Sequence, residues 1–135
     1  MDRIIWDESF SVNVSEIDHQ HKKLLEMANE LHTAIMERKD EDLLGKIVSG
    51  LISYTETHFK TEEKYFDLLG YPEKKEHIEE HKSFIKKISE IIDELGAGKR
   101  TLSRDVLEFI SEWLETHIKG TDKNYSLFFN ENGLL

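Results

Sequence analysis

Apolar side chains recur at steps of three and four residues along most of this chain, which is the period of an amphipathic helix. Four stretches show this pattern, at residues 17–35, 44–69, 77–95 and 106–117. The segments that connect them are short. Helices of this length joined by short connections favour an all-α, up-down-up-down antiparallel four-helix bundle.

Cap and turn residues indicate where these helices begin and end. Asp40 or Asp42 can accept hydrogen bonds from the free amides that open the second helix, and Gly70 ends that helix. Pro72 fits the first position of the third helix, where its missing N–H costs nothing. Ser103 can cap the fourth helix.

The two ends of the chain follow a different pattern. Residues 1–16 carry Trp6, Phe10, Val12 and Val14 without a helical period, which predicts an extended N-terminal arm whose apolar side chains pack onto another part of the protein. Residues 120–135 predict a short C-terminal helical tail that continues the fourth helix or folds back. We therefore expect one domain over residues 1–135, with the arm at 1–16, four helices at 17–119 and the tail at 120–135.

The charge and the cysteine content of the chain exclude several classes of partner and metal ligand. The chain has 18 Lys and Arg against 28 Asp and Glu, a formal net charge of −10, which argues against nucleic acid and anionic membrane surfaces as partners. It has no cysteine, so any metal must be held by nitrogen and oxygen. The N-terminus lacks the pattern of a signal peptide, and no apolar run is long enough to cross a bilayer. We expect a soluble, cytoplasmic protein with no membrane insertion.

Five of the seven histidines lie in four short clusters, most of them with a second histidine or a carboxylate nearby. In an up-down-up-down bundle, the start of the first helix, the end of the second, the start of the third and the end of the fourth lie at the same end. The clusters fall at these four places, so their side chains should converge at one level of the interior. The candidate metal ligands are His21, His58, Glu62, His77, His81, His117 and Asp122.

The seven candidates lie on the apolar stripes, so we expect them to be buried. Buried polar groups without partners each cost a few kcal/mol, a cost that a metal centre or a structural hydrogen-bond network would offset. His19 lies about 200° around the helix from His21 and should face solvent. His32 lies on the same face as His21 but about 16 Å along the bundle, which favours a core or boundary position.

Seven ligand side chains are too many for one six-coordinate ion. With two ions, five imidazoles, two bridging carboxylates and one bridging oxo or hydroxo group fill all but one position of two octahedra. An open position suits a site that binds a small molecule, since a structural site would be closed. The mixed donor set suits iron, and the donor types alone also permit manganese or zinc.

The spacing of the last two candidates is irregular. Asp122 follows His117 by five residues, which places the two side chains about 140° apart on a regular helix. Both can face one site only if the helix is distorted. Because a spacing of five residues is the π-helical period, we predict a one-residue π-bulge or a break near Gly120.

Several motifs occur together along the whole chain: Trp6, Asp18-x-Gln20-His21-x-x-Leu24, His58-x-x-x-Glu62, Gly70-Tyr71-Pro72 before His77-x-x-x-His81, and His117-x-x-x-x-Asp122. In this combination the chain resembles the hemerythrin family, and its single-domain bacterial members most closely. The resemblance implies two iron ions with a bridging oxo or hydroxo group. It assigns His77, His81 and His117 to one ion and His21 and His58 to the other, with Glu62 and Asp122 as bridges.

The same resemblance implies a function. Members of the family bind O₂ reversibly, as peroxide on the two-histidine iron, so the implied role is non-enzymatic carriage, storage or delivery of O₂. A dry pocket at that position slows the loss of superoxide or peroxide, because neither anion is well solvated there. The residues implied to line this apolar O₂ pocket are Phe59, Trp113, Leu114 and Ile118, for which ordinary core packing is the alternative.

Two other functions stay open. The same centre could serve as an oxygen or redox sensor, given a separate binding surface for a partner. A diiron oxidase or iron-handling enzyme would need two Glu-x-x-His motifs on the bundle helices, whereas only Glu16-Ile17-Asp18-His19 has that spacing here. The expected ligand is O₂, with an oxygen-using enzyme as a candidate recipient, and we expect a monomer.

Overall fold

The predicted all-α architecture is confirmed by the computed structural model, which describes residues 3–98 and 104–135 as a four-helix bundle. A short 3-10 helix, Glu8–Phe10, precedes the bundle. The four helices are α1, Ser15–Met36; α2, Glu41–Leu69; α3, Lys74–Gly96; and α4, Arg104–Thr116. A π-helical turn, His117–Asp122, connects α4 directly to α5, Lys123–Glu131. The C-terminal tail therefore continues the fourth helix.

The helices are amphipathic rather than apolar all round. In the part of the chain that the structure describes, none of them combines the length and the apolar character needed to span a bilayer.

The ends of α2 follow from its sequence. The Asp40 side chain accepts a hydrogen bond from the Leu43 amide at 2.9 Å. Of the two predicted candidates, Asp40 is therefore the N-cap of α2. At the other end Gly70 has φ 69° and ψ 43°. Glycine adopts this left-handed conformation without the steric cost that a Cβ would bring.

The prediction that Pro72 opens the third helix is wrong. α3 begins at Lys74, and Pro72 lies in the preceding turn. The Tyr71 amide donates to the Phe66 carbonyl of α2 at 2.9 Å, and the Tyr71 carbonyl accepts from the Lys74 amide at 3.3 Å. These two bonds hold residues 71–74 as a turn, so helical geometry starts only after it. The predicted cap Ser103 lies outside the described residues.

Hydrogen bonds to two side chains of α1, among other contacts, fix the N-terminal arm to the bundle. The Asn29 side chain accepts from the Ile4 amide at 2.9 Å and donates to the Ile4 carbonyl at 2.7 Å. Asp18, in the first turn of α1, accepts from the Val12 amide at 2.8 Å. The arm residues that become buried in this way are Phe10, Val12 and Val14.

Two hydrophobic clusters lie on either side of one polar level of the bundle. The larger cluster fills the body of the bundle and includes Phe59, which stacks on His81 with ring centroids 3.7 Å apart. The smaller cluster closes the end of the bundle and includes Phe66, whose ring centroid lies 4.8 Å from that of His77. The buried histidines therefore lie between two apolar layers, shielded from water on both sides. The smaller cluster consists of Val12, Val14, Ile17, Phe66, Tyr71, Tyr125 and Phe129.

Candidate metal centre

The seven predicted ligand residues meet at one level of the bundle, and all of them are buried, with at most 3% of each residue exposed. One of them lies near the start of α1, and two lie in the second half of α2. Two more lie near the start of α3, and the π-helical turn has one at each end. The residues are His21, His58, Glu62, His77, His81, His117 and Asp122.

The donor atoms of these residues form two overlapping groups, and within each group they all lie within 4.8 Å of one another. The three-histidine group contains His77, His81 and His117, and the two-histidine group contains His21 and His58. Glu62 and Asp122 belong to both groups. Two carboxylates shared between two sets of imidazoles give the arrangement expected of a two-metal site with carboxylate bridges.

Asp122 turns one oxygen toward each group. Its Oδ1 lies 2.8 Å from His77 Nε2 and 2.9 Å from His117 Nε2, both in the three-histidine group. Its Oδ2 lies 2.9 Å from His21 Nε2, in the two-histidine group. The carboxylate thus spans the two groups with separate oxygens.

Glu62 reaches both groups with a single oxygen. Its Oε1 lies 3.1 Å from His81 Nε2 and 3.3 Å from His58 Nε2. Its Oε2 accepts a hydrogen bond from the Tyr125 hydroxyl at 2.5 Å. Tyr125 is fully buried and so fixes which oxygen of Glu62 faces the histidines.

A hydrogen bond at Nδ1 orients each of three imidazoles from the side that faces away from the centre. His81 Nδ1 donates to Glu63 Oε2 at 3.0 Å, and His117 Nδ1 donates to Glu80 Oε1 at 2.9 Å. His58 Nδ1 donates to Gln20 Oε1 at 2.6 Å. A carboxylate oxygen and an amide oxygen can only accept, so these partners place the hydrogen on Nδ1 and leave the Nε2 lone pair facing inward.

The amide of Gln20 is itself oriented by a neighbour. Its Nε2 donates to Thr61 Oγ1 at 3.2 Å, which turns the amide oxygen toward His58. Glu80 has a second contact as well, since it accepts from Thr121 Oγ1 at 2.9 Å. Glu80 on α3 therefore holds both His117 and Thr121, near the two ends of the π-helical turn.

Most of the inward-facing atoms fit metal ions rather than one another, the exception being His21 Nε2 and His58 Nε2, which lie within hydrogen-bond distance at 3.0 Å. Among the described residues, six buried atoms at the centre have close neighbours but no hydrogen-bond partner: Glu62 Oε1, His77 Nε2, His81 Nε2, His117 Nε2, Asp122 Oδ1 and Asp122 Oδ2. Lone pairs of imidazoles and carboxylates that face each other in a dry interior repel, and each unsatisfied group costs free energy. Cations between them remove both costs, and a nitrogen and oxygen donor set suits iron, manganese or zinc.

Without metal, His117 can carry an additional proton beside the neighbouring carboxylates. Burial disfavours a charged imidazole, but the carboxylates of Asp122 and Glu80 outweigh it and raise the pKa of His117 to about 10. Burial likewise opposes ionisation of Asp122, yet His117 and its neighbours hold the pKa of that carboxyl well below its usual range. A metal ion would take the place of this proton.

The four predicted pocket residues have different surroundings. Phe59 stacks on His81, and Trp113 stacks on His117 with ring centroids 4.3 Å apart, so both aromatic rings cover the three-histidine group. Leu114 is buried in the same cluster as Phe59. Ile118 is buried in a separate cluster with residues of the arm and α1.

The two histidines excluded from the sequence-predicted ligand set lie outside both groups. His19 is exposed, as predicted from its position opposite His21. His32 is half-buried further along α1. The predicted π-helical distortion is also present, as the turn His117–Asp122.

Sequence reasoning assigned no role to the residues behind the candidate ligands, namely Gln20, Glu63, Glu80, Thr121 and Tyr125. Each contacts a candidate ligand or its support on another helix. Gln20 belongs to a motif that carries the family resemblance, whereas only position could have signalled the others: Glu63 follows Glu62 directly, and Tyr125 lies one helical turn beyond Asp122. Such positions are common on helices, and so the contacts become visible only in the folded chain.

A bundle with this buried set of nitrogen and oxygen donors belongs to the class of helical metal-binding proteins, and comparisons with known proteins give the family. The model of the hemerythrin HHE cation binding domain matches residues 12–126. The chain therefore belongs to the hemerythrin family. The non-haem diiron site that membership implies fits the two groups of donors described above.

Relatives and solved structures agree with this assignment. A bacteriohemerythrin of Stenotrophomonas maltophilia is 31% identical, over 91% of this chain and 79% of the relative. A bacteriohemerythrin of Methylococcus capsulatus is 34% identical, over 86% of this chain and 88% of the relative. A crystal structure of wild-type hemerythrin superimposes with a TM-score of 0.86 at 31% identity, covering 93% of this chain and 96% of that one.

Proposed function

We propose that this protein binds O₂ reversibly at a non-haem diiron centre and so carries, stores or delivers O₂ without enzymatic turnover. The observation that carries the proposal is the pair of overlapping donor groups, which share Glu62 and Asp122 and in which six buried donor atoms lack a hydrogen-bond partner among the described residues. Two carboxylates reached from both sides are what a pair of bridged ions requires. Membership of the hemerythrin family supports iron as the metal.

The unequal histidine count supports an open coordination position. In this proposal His77, His81 and His117 hold one iron, His21 and His58 hold the other, and Glu62 and Asp122 bridge them. With a bridging oxo or hydroxo group, the two-histidine iron is left with the vacancy. When bound, the two irons would supply the electrons that reversible O₂ binding needs.

The chain's own residues would keep water and acid away from the bound ligand. The apolar clusters on both sides of the polar level exclude water. Although burial opposes ionisation, neighbouring histidines lower the pKa of Glu62 and Asp122, so neither carboxyl is a ready proton donor. Burial, with both carboxylates nearby, raises the pKa of Tyr125, whose hydroxyl proton is engaged by Glu62. A site without available acid favours release of O₂ over its reduction.

Phe59, Trp113, Leu114 and Ile118 are proposed as the apolar lining of the O₂ position. Burial of Phe59, Leu114 and Ile118 supports a dry environment, and the Phe59 ring centroid lies 6.1 Å from that of His58 in the two-histidine group. The proposal further includes a monomeric, cytoplasmic protein with an oxygen-using enzyme as the recipient of O₂.

Absorption spectroscopy on iron-loaded protein tests this function. The protein is reduced without air, exposed to O₂ and then returned to an O₂-free atmosphere. A charge-transfer band that appears with O₂ and disappears on its removal is the expected result. Steady consumption of O₂ with turnover of an added reductant would instead identify an oxidase.

A further inference from the structure

The imidazoles of the two groups differ in the group that accepts a hydrogen bond from Nδ1. In the three-histidine group, His81 and His117 donate from Nδ1 to the carboxylates of Glu63 and Glu80. In the two-histidine group, His58 donates to the neutral amide of Gln20. The other member, His21, has a buried Nδ1 that has no hydrogen-bond partner among the described residues.

This difference changes how strongly each imidazole can bind a metal. A carboxylate that accepts from Nδ1–H increases the electron density at Nε2 and makes the ring a better ligand. Hydrogen bonds to ionised acceptors are roughly twice as strong as those between neutral groups, so an amide oxygen gives less of this effect. Nδ1 of His21 has no such acceptor in the described part of the chain. The two metal sites are therefore supported unequally by their surroundings.

We propose that Glu63 and Glu80 are positioning residues that make the three-histidine site the tighter of the two, so that iron leaves this protein in a fixed order, from the two-histidine site first. The inference rests on the division of ligands in the proposed function. Glu80 has a second role, because its hydrogen bond with Thr121 also stabilises the π-helical turn that brings His117 and Asp122 together.

Iron loss to a chelator tests the order. Protein loaded with ferrous iron under an O₂-free atmosphere is mixed with an excess of a ferrous chelator, and the iron remaining per chain is followed in time. For the unmodified protein we expect two phases of one iron each. Glu63→Gln and Glu80→Gln should each speed the slow phase about 10-fold or more and leave the fast phase unchanged. Gln20→Glu should slow the fast phase.

A matched control separates this effect from loss of charge. Glu79→Gln removes the same charge from an exposed position next to Glu80 on α3 and should leave both phases unchanged. If Glu80→Gln does not fold, Glu63→Gln on α2, away from the π-helical turn, still decides the question. Acceleration of the fast phase instead of the slow one, or rates equal to those of Glu79→Gln, would overturn the proposal.

A redox measurement distinguishes metal tuning from simple loosening of the fold. Removing a carboxylate behind a ligand disfavours the ferric ion, so Glu63→Gln should raise the midpoint potential for removing one electron from the diferrous protein to a soluble one-electron mediator. Glu79→Gln should leave that potential unchanged, and equal potentials in all three proteins would contradict the inference. If the unmodified protein fails to hold two irons, the proposed function itself is wrong, which is a separate result.

Discussion

His117 Nε2 lies 2.9 Å from Asp122 Oδ1, although the two residues are five positions apart and a regular helix would place their side chains about 140° from each other. The π-helical turn between them accounts for the contact. Such turns favour functional sites, because they place two side chains on one face that α-helical spacing would separate. The bonds from Glu80 to both His117 and Thr121 stabilise this turn from the neighbouring helix.

Replacement of Gly120 by alanine tests whether the turn depends on glycine. Gly120 does not have a positive φ, and a Cβ added there would meet no atom of the described residues within 4 Å, apart from neighbouring atoms of its own helix. Gly120→Ala should therefore keep full iron binding and change the free energy of unfolding by no more than about 1 kcal/mol, with stabilisation expected because alanine loses less backbone entropy. Urea unfolding and iron analysis measure the two quantities. Loss of iron in this variant would mean that glycine itself maintains the π-helical turn.

Replacement of single histidines tests the ligand set. His81→Ala should lose iron from the three-histidine site, because it removes an inward Nε2 that lies 3.1 Å from Glu62 Oε1. His19→Ala is the matched control, since His19 is exposed and lies outside both groups, and this variant should bind two irons per chain. Iron per chain is measured after loading and gel filtration. Equal iron loss in both variants would refute the assignment.

Tyr125→Phe tests the hydrogen bond that orients Glu62. The phenylalanine ring fills the same buried space, but Glu62 Oε2 loses its donor. A buried acceptor without a partner costs about 1–3 kcal/mol, so the free energy of unfolding of the metal-free protein should fall by that amount. Tyr71→Phe belongs to the same cluster but removes only a 3.2 Å bond to the exposed Glu73, and should cost under about 0.5 kcal/mol. Equal losses in the two variants would show that Glu62 Oε2 does not need this donor.

The stability of the metal-free protein should depend on pH in a defined direction. Although burial opposes it, Asp122 and Glu80 raise the pKa of His117 to about 10 in the folded chain. Its proton therefore stabilises the fold fully below about pH 6.5, the ordinary histidine value, and the contribution is lost as the pH rises toward 10. The pKa of Asp122 is lowered, so its contribution is present at neutral pH and is lost as the pH falls into the acid range.

Urea unfolding between pH 6.5 and 9.5 measures the alkaline part of this profile. The free energy of unfolding of the metal-free protein should decline by at most about 1.4 kcal/mol per pH unit. In iron-loaded protein the metal occupies Nε2 in place of the proton, so the decline due to His117 should be absent. A metal-free protein with constant stability over this range would contradict the pKa of His117.

The helices and the level of the site could be predicted because both follow from periodicity. Steps of three and four residues determine which face of a helix is buried, and the antiparallel order determines which helix ends meet. His21, His58, His77 and His117 come together for this reason alone. The π-helical turn was predictable in the same way, since no regular helix brings His117 and Asp122 to one site.

The contacts behind the candidate ligands could not be predicted in this way. Whether Glu63 or Glu80 reaches an imidazole on a neighbouring helix depends on the rotation and spacing of two helices, which periodicity leaves undetermined. Tyr125 donates a hydrogen bond to one oxygen of Glu62 because α5 continues the helix past the π-helical turn. The sequence alone also allowed the tail to fold back at this point. The error at Pro72 has a local cause, as hydrogen bonds of Tyr71 hold a turn where proline alone would permit a helix.

The most direct test of the central claim is the stoichiometry and recovery of O₂ taken up by the reduced, iron-loaded protein. The account predicts uptake of one O₂ for every two irons, followed by recovery of the same amount as O₂ when the solution is equilibrated with an inert gas. Iron that is oxidised while the O₂ is recovered only as water or hydrogen peroxide would contradict reversible binding.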